Sequence, residues 1–274
     1  MNAPVKSVSA PDSQRGQASP ALLGVEGVTL CYTTTEQIVT ATWRVRFEIE
    51  AGDRFILLGP SGCGKSSLLK AVGGYMTPTE GRITLKGRQI TKPGPDRMMV
   101  FQEFDQLLPW KTVKQNIIFP MTASGKYTRA EAADRADAYI DKVNLSRARD
   151  SFPHTLSGGM KQRVAIARGM AMEPDILLMD EPFAALDSLT RGQMQDELLA
   201  LWEDTKFTLL FVTHSITEAL KIGSRILLLS AHPGRVRAEL NELDDIRGDP
   251  ARTKEMEAQI YSLLFGRPID EKAD

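Results

Sequence analysis

Gly59-Pro60-Ser61-Gly62-Cys63-Gly64-Lys65-Ser66 decides how this chain folds, because it meets the phosphate-loop pattern GxxxxGK[ST] in the context that pattern requires. Arg54-Phe55-Ile56-Leu57-Leu58 before it reads as a short buried strand, and Lys65 to Val72 after it as a helix that Gly73-Gly74 can end. The glycines at 59, 62 and 64 let the backbone curl until successive N–H groups point inward, and the new helix adds the positive end of its dipole. Lys65 supplies a mobile ammonium for the β- and γ-phosphates, and the Ser66 hydroxyl is placed to coordinate Mg²⁺. Gly59 through Ser67, with Pro60, Ser61 and Cys63 inside it, is the candidate nucleotide-contacting stretch; Ser67 is a bystander by comparison.

The 274 residues, with 42% apolar and 25% charged content, are enough for a real core in one lobed domain. A net charge of -1 gives no basic footprint, so nucleic acid is not an expected partner. The two cysteines, Cys31 and Cys63, lie in different motifs, and a disulfide at Cys63 would distort the phosphate loop, which fits a reducing compartment. The longest unbroken apolar run is Leu198 to Trp202, far short of the roughly 20 residues that span a bilayer. Residues 1–21, rich in Ser, Pro, Gln and Ala, have no apolar stretch of the secretion-signal kind and read as a disordered tail.

Val25 to Ile49 is β-like, and Gly81 to Leu85 adds a candidate strand, predicting a small, mostly antiparallel sheet beside the phosphate loop and suited to holding a base. Met98 to Phe101, Ile176 to Met179, Leu209 to Val212 and Ile226 to Leu229 are continuous apolar runs between helical segments, as strands buried on both faces of a parallel sheet require. Residues 103–170 form a helical insert, with a capping box at Thr128 and Glu131 and an apolar stripe of Met160, Val164, Ala167 and Ala171. The chain after Leu240 is charged and ends in a short amphipathic stretch, Ile260 to Phe265. No repeat and no second domain is visible.

Two further motifs carry chemistry. Ile176-Leu177-Leu178-Met179-Asp180-Glu181 is an apolar strand that delivers two adjacent carboxylates to a sheet edge, Asp180 to hold Mg²⁺ through water and Glu181 to polarise the water that attacks the γ-phosphate. Leu156-Ser157-Gly158-Gly159-Met160-Lys161-Gln162 opens a helix with a hydroxyl and bare backbone N–H groups, an anion-binding arrangement. Alone, each has a bland reading: a solvated strand end, a capped helix.

Phosphate loop, Ser157-Gly158-Gly159 and the carboxylate pair together resemble the ATP-binding cassette ATPases, the nucleotide-hydrolysing subunits of ABC transporters. The resemblance covers about residues 22–235 and implies an α/β fold: a P-loop NTPase core with a parallel sheet, an antiparallel β subdomain and a helical signature subdomain. It implies ATP and Mg²⁺ as ligands. It assigns Gln102 to the glutamine loop that links Mg²⁺ and attacking water to the transporter, His214 to the switch histidine, Ala185-Leu186-Asp187 to the loop at the dimer interface, and Tyr32 to an aromatic ring that stacks on adenine. Glu181, His214, Gln102 and Lys65 are then the catalytic candidates, and Ser66, Gln102 and Asp180 the metal candidates. Met160 stands where many members carry Gln, a departure that leaves Ser157 and Gly159 unchanged.

In that family two cassettes face head to tail, so that ATP on one phosphate loop is covered by Ser157 and Gly159 of the other. A second nucleotide-binding subunit, a transmembrane permease and, indirectly, a periplasmic or lipid-anchored solute-binding protein are the implied partners, at the cytoplasmic face of the inner membrane. Gln106 to Val113 and Ser230-Ala231-His232-Pro233-Gly234-Arg235-Val236 look like the nitrate, sulfonate and taurine branch of bacterial importers. The implied organisation is a cassette over residues 22–240 and a C-terminal tail with a short helix over 241–274. The competing reading is a soluble ABC-type ATPase acting on DNA or ribosomes; the coiled-coil insert, zinc cysteines or tandem cassettes usual there are not visible.

Overall fold

A computed structural model describes residues 21–33, 38–102, 106–241 and 243–266. In chain order these form β1 (Leu23–Thr33), β2 (Ile38–Ile49), β3 (Arg54–Leu58), α1 (Lys65–Val72), β4 (Glu80–Leu85), β5 (Arg88–Gln89), β6 (Arg97–Val100), α2 (Val113–Ala123), α3 (Arg129–Lys142), α4 (Gly158–Met170), β7 (Ile176–Asp180), α5 (Ser188–Thr205), β8 (Leu209–Thr213), α6 (Ile216–Ile222), β9 (Arg225–Leu229), β10 (Val236–Leu240) and α7 (Pro250–Phe265). The chain divides into two compact units. The first takes the described parts of Met1–Leu68, Thr77–Gln89 and Thr213–Asp274, the second Leu69–Met76 and Ile90–Val212. The tail expected over residues 1–21 lies outside the described residues, save Ala21.

The first unit holds an antiparallel sheet in the order β2-β1-β4-β5. Strict alternation forms it: Val45, Phe47 and Ile49 are buried while Arg46 and Glu48 face out, the period-2 pattern of a half-buried strand. Beside it, β3 runs parallel to β9, with Phe55 opposite Arg225 and Leu58 opposite Leu228, and β10 pairs antiparallel with β9. All five residues of β3 are buried, Arg54 included. Its guanidinium is tolerated because Nε donates to the Ile222 carbonyl at 2.7 Å and Nη2 pairs with Asp244. Phe47 stacks on Phe55 with ring centroids 5.1 Å apart. The charged stretch after Leu240 folds back on this unit: Asp249 caps α7, Pro250 takes its first turn, and Leu243, Ile260 and Leu264 are buried. The helix is longer than the short amphipathic stretch expected, because these caps start it well before the apolar residues appear.

The second unit contains three parallel strands, with β7 between β6 and β8 and Asp180 opposite Val212. Every residue of β7 and β8 is buried, as continuous apolar runs require. Helices α2 and α3 each begin on a reciprocal capping box, Thr112 with Gln115 and Thr128 with Glu131, and pack on α4 through Val164, Ala167 and neighbouring apolar side chains. Met160 of the expected stripe is only half-buried. Gly74, at φ +80°, turns the chain after α1; a Cβ there would lie 2.4 Å from the Lys92 carbonyl. Among the described residues no helix is long and apolar enough to cross a membrane.

Candidate nucleotide site

In the first unit the loop from Gly59 to Gly64 joins β3 to α1 as the sequence predicts. Gly62 and Gly64 have φ +79° and +89°, left-handed values that glycine reaches without a Cβ penalty. At Gly64 space forbids a side chain as well, since a Cβ would lie 2.7 Å from the Ala41 carbonyl oxygen. Lys65 is buried, and its ammonium donates to the carbonyls of Gly59 and Pro60, both at 2.8 Å, and to Cys63 Sγ at 3.9 Å. The three hydrogens of the cation therefore tie the loop to itself. Burial pushes the Cys63 thiol up from its ordinary value, against the opposing pull of the Lys65 charge. Ser61 and Gly62 are exposed at the tip, and Ser66 is half-buried on the first turn of α1.

Tyr32 is 41% exposed at the end of β1, and its hydroxyl is hydrogen-bonded to Ser67 Oγ. Ser67 is thus engaged with the very residue expected to stack on a base. His214 is exposed in the turn between β8 and α6. That turn is fixed by a buried pair that sequence reasoning missed: Thr213 donates its hydroxyl to Glu218 at 2.5 Å and accepts from the Ser215 N–H at 3.0 Å. Ser215 caps α6 by accepting from the Glu218 N–H at 3.3 Å. The signal was present as Ser215-x-x-Glu218, a capping-box spacing.

In the second unit β7 ends on buried Asp180, and half-buried Glu181 follows with φ +42°, uncommon for a residue with a Cβ. Val100 and Met179 are the last paired residues of β6 and β7, so Phe101-Gln102 and Asp180-Glu181 follow at the carboxyl ends of neighbouring strands. Gln102 itself is exposed. Its base is held by Gln106, whose side chain accepts from the Phe101 N–H at 3.2 Å and donates to the Phe101 carbonyl at 2.8 Å. Arg168 of α4 donates to the Gln106 carbonyl at 2.8 Å, and burial lowers the pKa of its guanidinium.

Ser157 caps α4, its Oγ accepting from the Met160 N–H at 3.3 Å, and Asp187 caps α5, accepting from the Thr190 N–H at 3.0 Å. These two helix N-termini open into one cleft of about 390 Å³ that Ser157, Gly158, Gly159, Lys161, Asp187 and Thr190 line with Ala185 and Leu186. Gly159 is the close-packed member, because a Cβ on it would stand 3.0 Å from Thr190 Cγ2. Two dipoles and Lys161 favour an anion here. Thr190, through its hydroxyl and then its backbone N–H, holds the Asp187 carboxyl below the usual carboxylate range.

A glycine cradle between a buried strand and a helix, with its lysine at the centre and carboxylates at the end of a parallel strand, defines a P-loop nucleoside triphosphatase. The family model described as "ABC transporter" matches residues 43–184, about half of the chain. The chain is 49% identical over 209 residues to the taurine import ATP-binding protein TauB of Rhizobium johnstonii, covering 76% of this chain and 79% of that one. It is 41% identical over 214 residues to an aliphatic sulfonates import ATP-binding protein of Bacillus cereus, covering 78% and 83%. A dimeric, post-hydrolysis ATP-binding cassette, MJ0796 with ADP and Pi bound, superposes with a TM-score of 0.69 at 32% identity, over 80% of this chain and 98% of that one. This chain belongs to the ABC transporter family, as an ATP-binding ATPase cassette.

Proposed function

We propose that the chain is the ATP-hydrolysing subunit that energises import of a small anionic solute, such as taurine, nitrate or an alkanesulfonate, by a membrane permease. The relatives support this reading, since they are named for taurine and sulfonate import, and none of these names favours action on DNA or ribosomes. The observation that carries the ATPase part is the presence in one chain of a lysine-tied glycine loop and of a cleft where two helix N-termini meet. In this reading the loop Gly59–Ser66 binds the phosphates of one ATP, and Ser157, Gly158, Gly159 and Asp187 of a second copy close over it. Tyr32 stands beside the base, with Ser67 orienting its ring.

Hydrolysis of ATP to ADP and phosphate needs water delivered in line with the γ-phosphate. Glu181 accepts the proton of that water, Gln102 and His214 orient it, and Lys65 leaves the Gly59 and Pro60 carbonyls for the β- and γ-phosphates. Ser66, Asp180 and Gln102 offer hydroxyl, carboxylate and amide oxygens, the hard donors Mg²⁺ prefers, and Mg²⁺ sites use one or two carboxylates rather than a cage. Bound Mg²⁺ would neutralise charge on the phosphate oxygens. The subunit sits peripherally on the cytoplasmic face of the inner membrane, and a solute-binding protein acts through the permease.

The test is to rebuild the subunit with a candidate permease in proteoliposomes. ATP turnover is then measured with solute-binding protein loaded with taurine, nitrate or an alkanesulfonate. Stimulation by one loaded protein supports the reading. Turnover indifferent to all solutes, with co-purification of ribosomes or DNA, overturns it.

A further inference from the structure

Ser230-Ala231-His232-Pro233-Gly234-Arg235, so far only a mark of kinship, makes its closest approach to the phosphate loop itself. The segment is the turn between β9 and β10, closed at its neck by the Ser230 N–H donating to the Arg235 carbonyl at 2.8 Å and the Arg235 N–H to Ser230 Oγ at 3.0 Å. It is locked to β2 by a reciprocal pair: the Gly234 N–H donates to the Ala41 carbonyl and the Trp43 N–H to the Gly234 carbonyl, both at 2.9 Å. Residues 41–42 of β2 in turn are what a Cβ on Gly64 would strike. Gly234 is buried, and a Cβ built on it would lie 2.0 Å from the Cys63 carbonyl oxygen and 3.2 Å from the Cys63 carbonyl carbon. Its φ is not left-handed, so this position needs glycine for the approach alone.

The contact falls on the back of one peptide plane. The Cys63 carbonyl and the Gly64 N–H belong to the same rigid amide, so an atom that displaces the oxygen re-aims the hydrogen on the far side. We propose that Gly234 is a positioning residue for nucleotide binding: it backs the Cys63–Gly64 peptide and thereby fixes the direction of the Gly64 N–H in the phosphate cradle. The β9–β10 turn acts through the loop and touches no substrate. This inference rests on the reading of Gly59–Ser66 as the phosphate site.

The full-length chain is titrated with ADP, which is not turned over, well below its melting temperature. Losing one charge-assisted hydrogen bond to a phosphate weakens binding roughly ten- to a hundredfold, and that is the loss expected for Gly234→Ala. A merely structural role would lower the melting temperature and leave both the ADP affinity and the Gly64 amide resonance of the folded protein where they were. An unchanged ADP affinity in folded Gly234→Ala overturns the proposal. Should that variant not fold, Ser230→Ala decides: it only loosens the neck of the turn, and a shifted Gly64 amide signal with severalfold weaker ADP binding supports the proposal, while both unchanged overturns it. Lys65→Ala separates the two levels. If it binds ADP as the parent does, the phosphate-site reading falls and takes this inference with it. If it binds weakly while the turn variants do not, this inference alone falls.

Discussion

The Glu181 N–H donates to the Val212 carbonyl at 3.0 Å, so the residue that leaves β7 is still laddered to β8 while its own φ is +42°. Strand pairing on one side and the turn through the Ala184 N–H to the Glu181 carbonyl at 3.1 Å on the other hold the backbone in the left-handed region. A side chain there costs about 1–2 kcal/mol, which is how a fold fixes the aim of a carboxylate at a strand end. Glu181→Gln is expected to bind ATP as the parent does and to hydrolyse it roughly 10²- to 10⁴-fold more slowly. The backbone adds an independent check: Glu181→Gly should be more stable than Glu181→Ala by about 1 kcal/mol in urea unfolding, because both lose the carboxylate and only glycine relieves φ. Equal stability would mean the backbone is not strained there.

Cys63 and Cys31 should be told apart by reagents. Cys31 is half-exposed, whereas Cys63 is buried and its thiol pushed up by that burial, which leaves little thiolate at neutral pH. A bulky maleimide is expected to label Cys31 first and Cys63 slowly, with ATPase activity lost in step with the second event as followed by intact mass. Bound ATP should slow only the Cys63 step. Loss of activity that tracks Cys31 instead would move the sensitive thiol out of the phosphate loop.

Where local chemistry dictates structure, the sequence was readable. The glycines of the phosphate loop, the apolar runs of β3, β7, β8 and β9 and the Thr128–Glu131 box each fix their own surroundings. What could not be read depends on partners distant in the chain. Nothing in Arg54 alone announces that a buried strand begins with a guanidinium, because its carboxylate, Asp244, is 190 residues away. Gln106, which clamps the Phe101 backbone, is met by Arg168 of α4, 62 residues further along the chain. Likewise the cleft that joins Ser157 to Asp187 pairs two caps that are each ordinary in sequence; their meeting is a matter of packing.

The cap on α5 makes a pH prediction. Asp187 is held below the usual carboxylate range by Thr190 in the folded chain and titrates near 3.9 when unfolded. A depressed folded pKa means the folded state binds fewer protons than the unfolded one between those two values, so the contribution is fully present above about pH 4 and is lost as pH falls through the folded pKa. Asp187→Asn keeps a capping oxygen without a charge. Its stability should follow the parent's from pH 5 to 8 and decline less steeply below pH 4, measured by urea midpoints. Parallel profiles across the acid range would remove Asp187 from the linkage.

The docking of the C-terminal segment rests on Asp244, which takes the far end of the buried Arg54 guanidinium and also pairs with Arg247. Arg247 in turn donates to the Gly223 carbonyl at 2.8 Å, so one half-exposed carboxylate joins the start of β3 to the residues that follow α6. Removing it leaves Arg54 its bond to the Ile222 carbonyl but takes away the Asp244 counter-charge from a side chain that is 1% exposed. A fully buried pair broken in this way costs about 3–5 kcal/mol. Because Asp244 itself is 53% exposed and water can reach its place, the expected loss is smaller, about 1–2 kcal/mol for Asp244→Ala. Replacing Arg54 by Met in the same background should recover part of it, since an apolar side chain needs no partner at that position. Hydrogen exchange supplies the structural readout: amides of α7 should lose protection in Asp244→Ala before those of β7 and β8 do, and uniform loss across the chain would show that Asp244 supports the whole core rather than this segment.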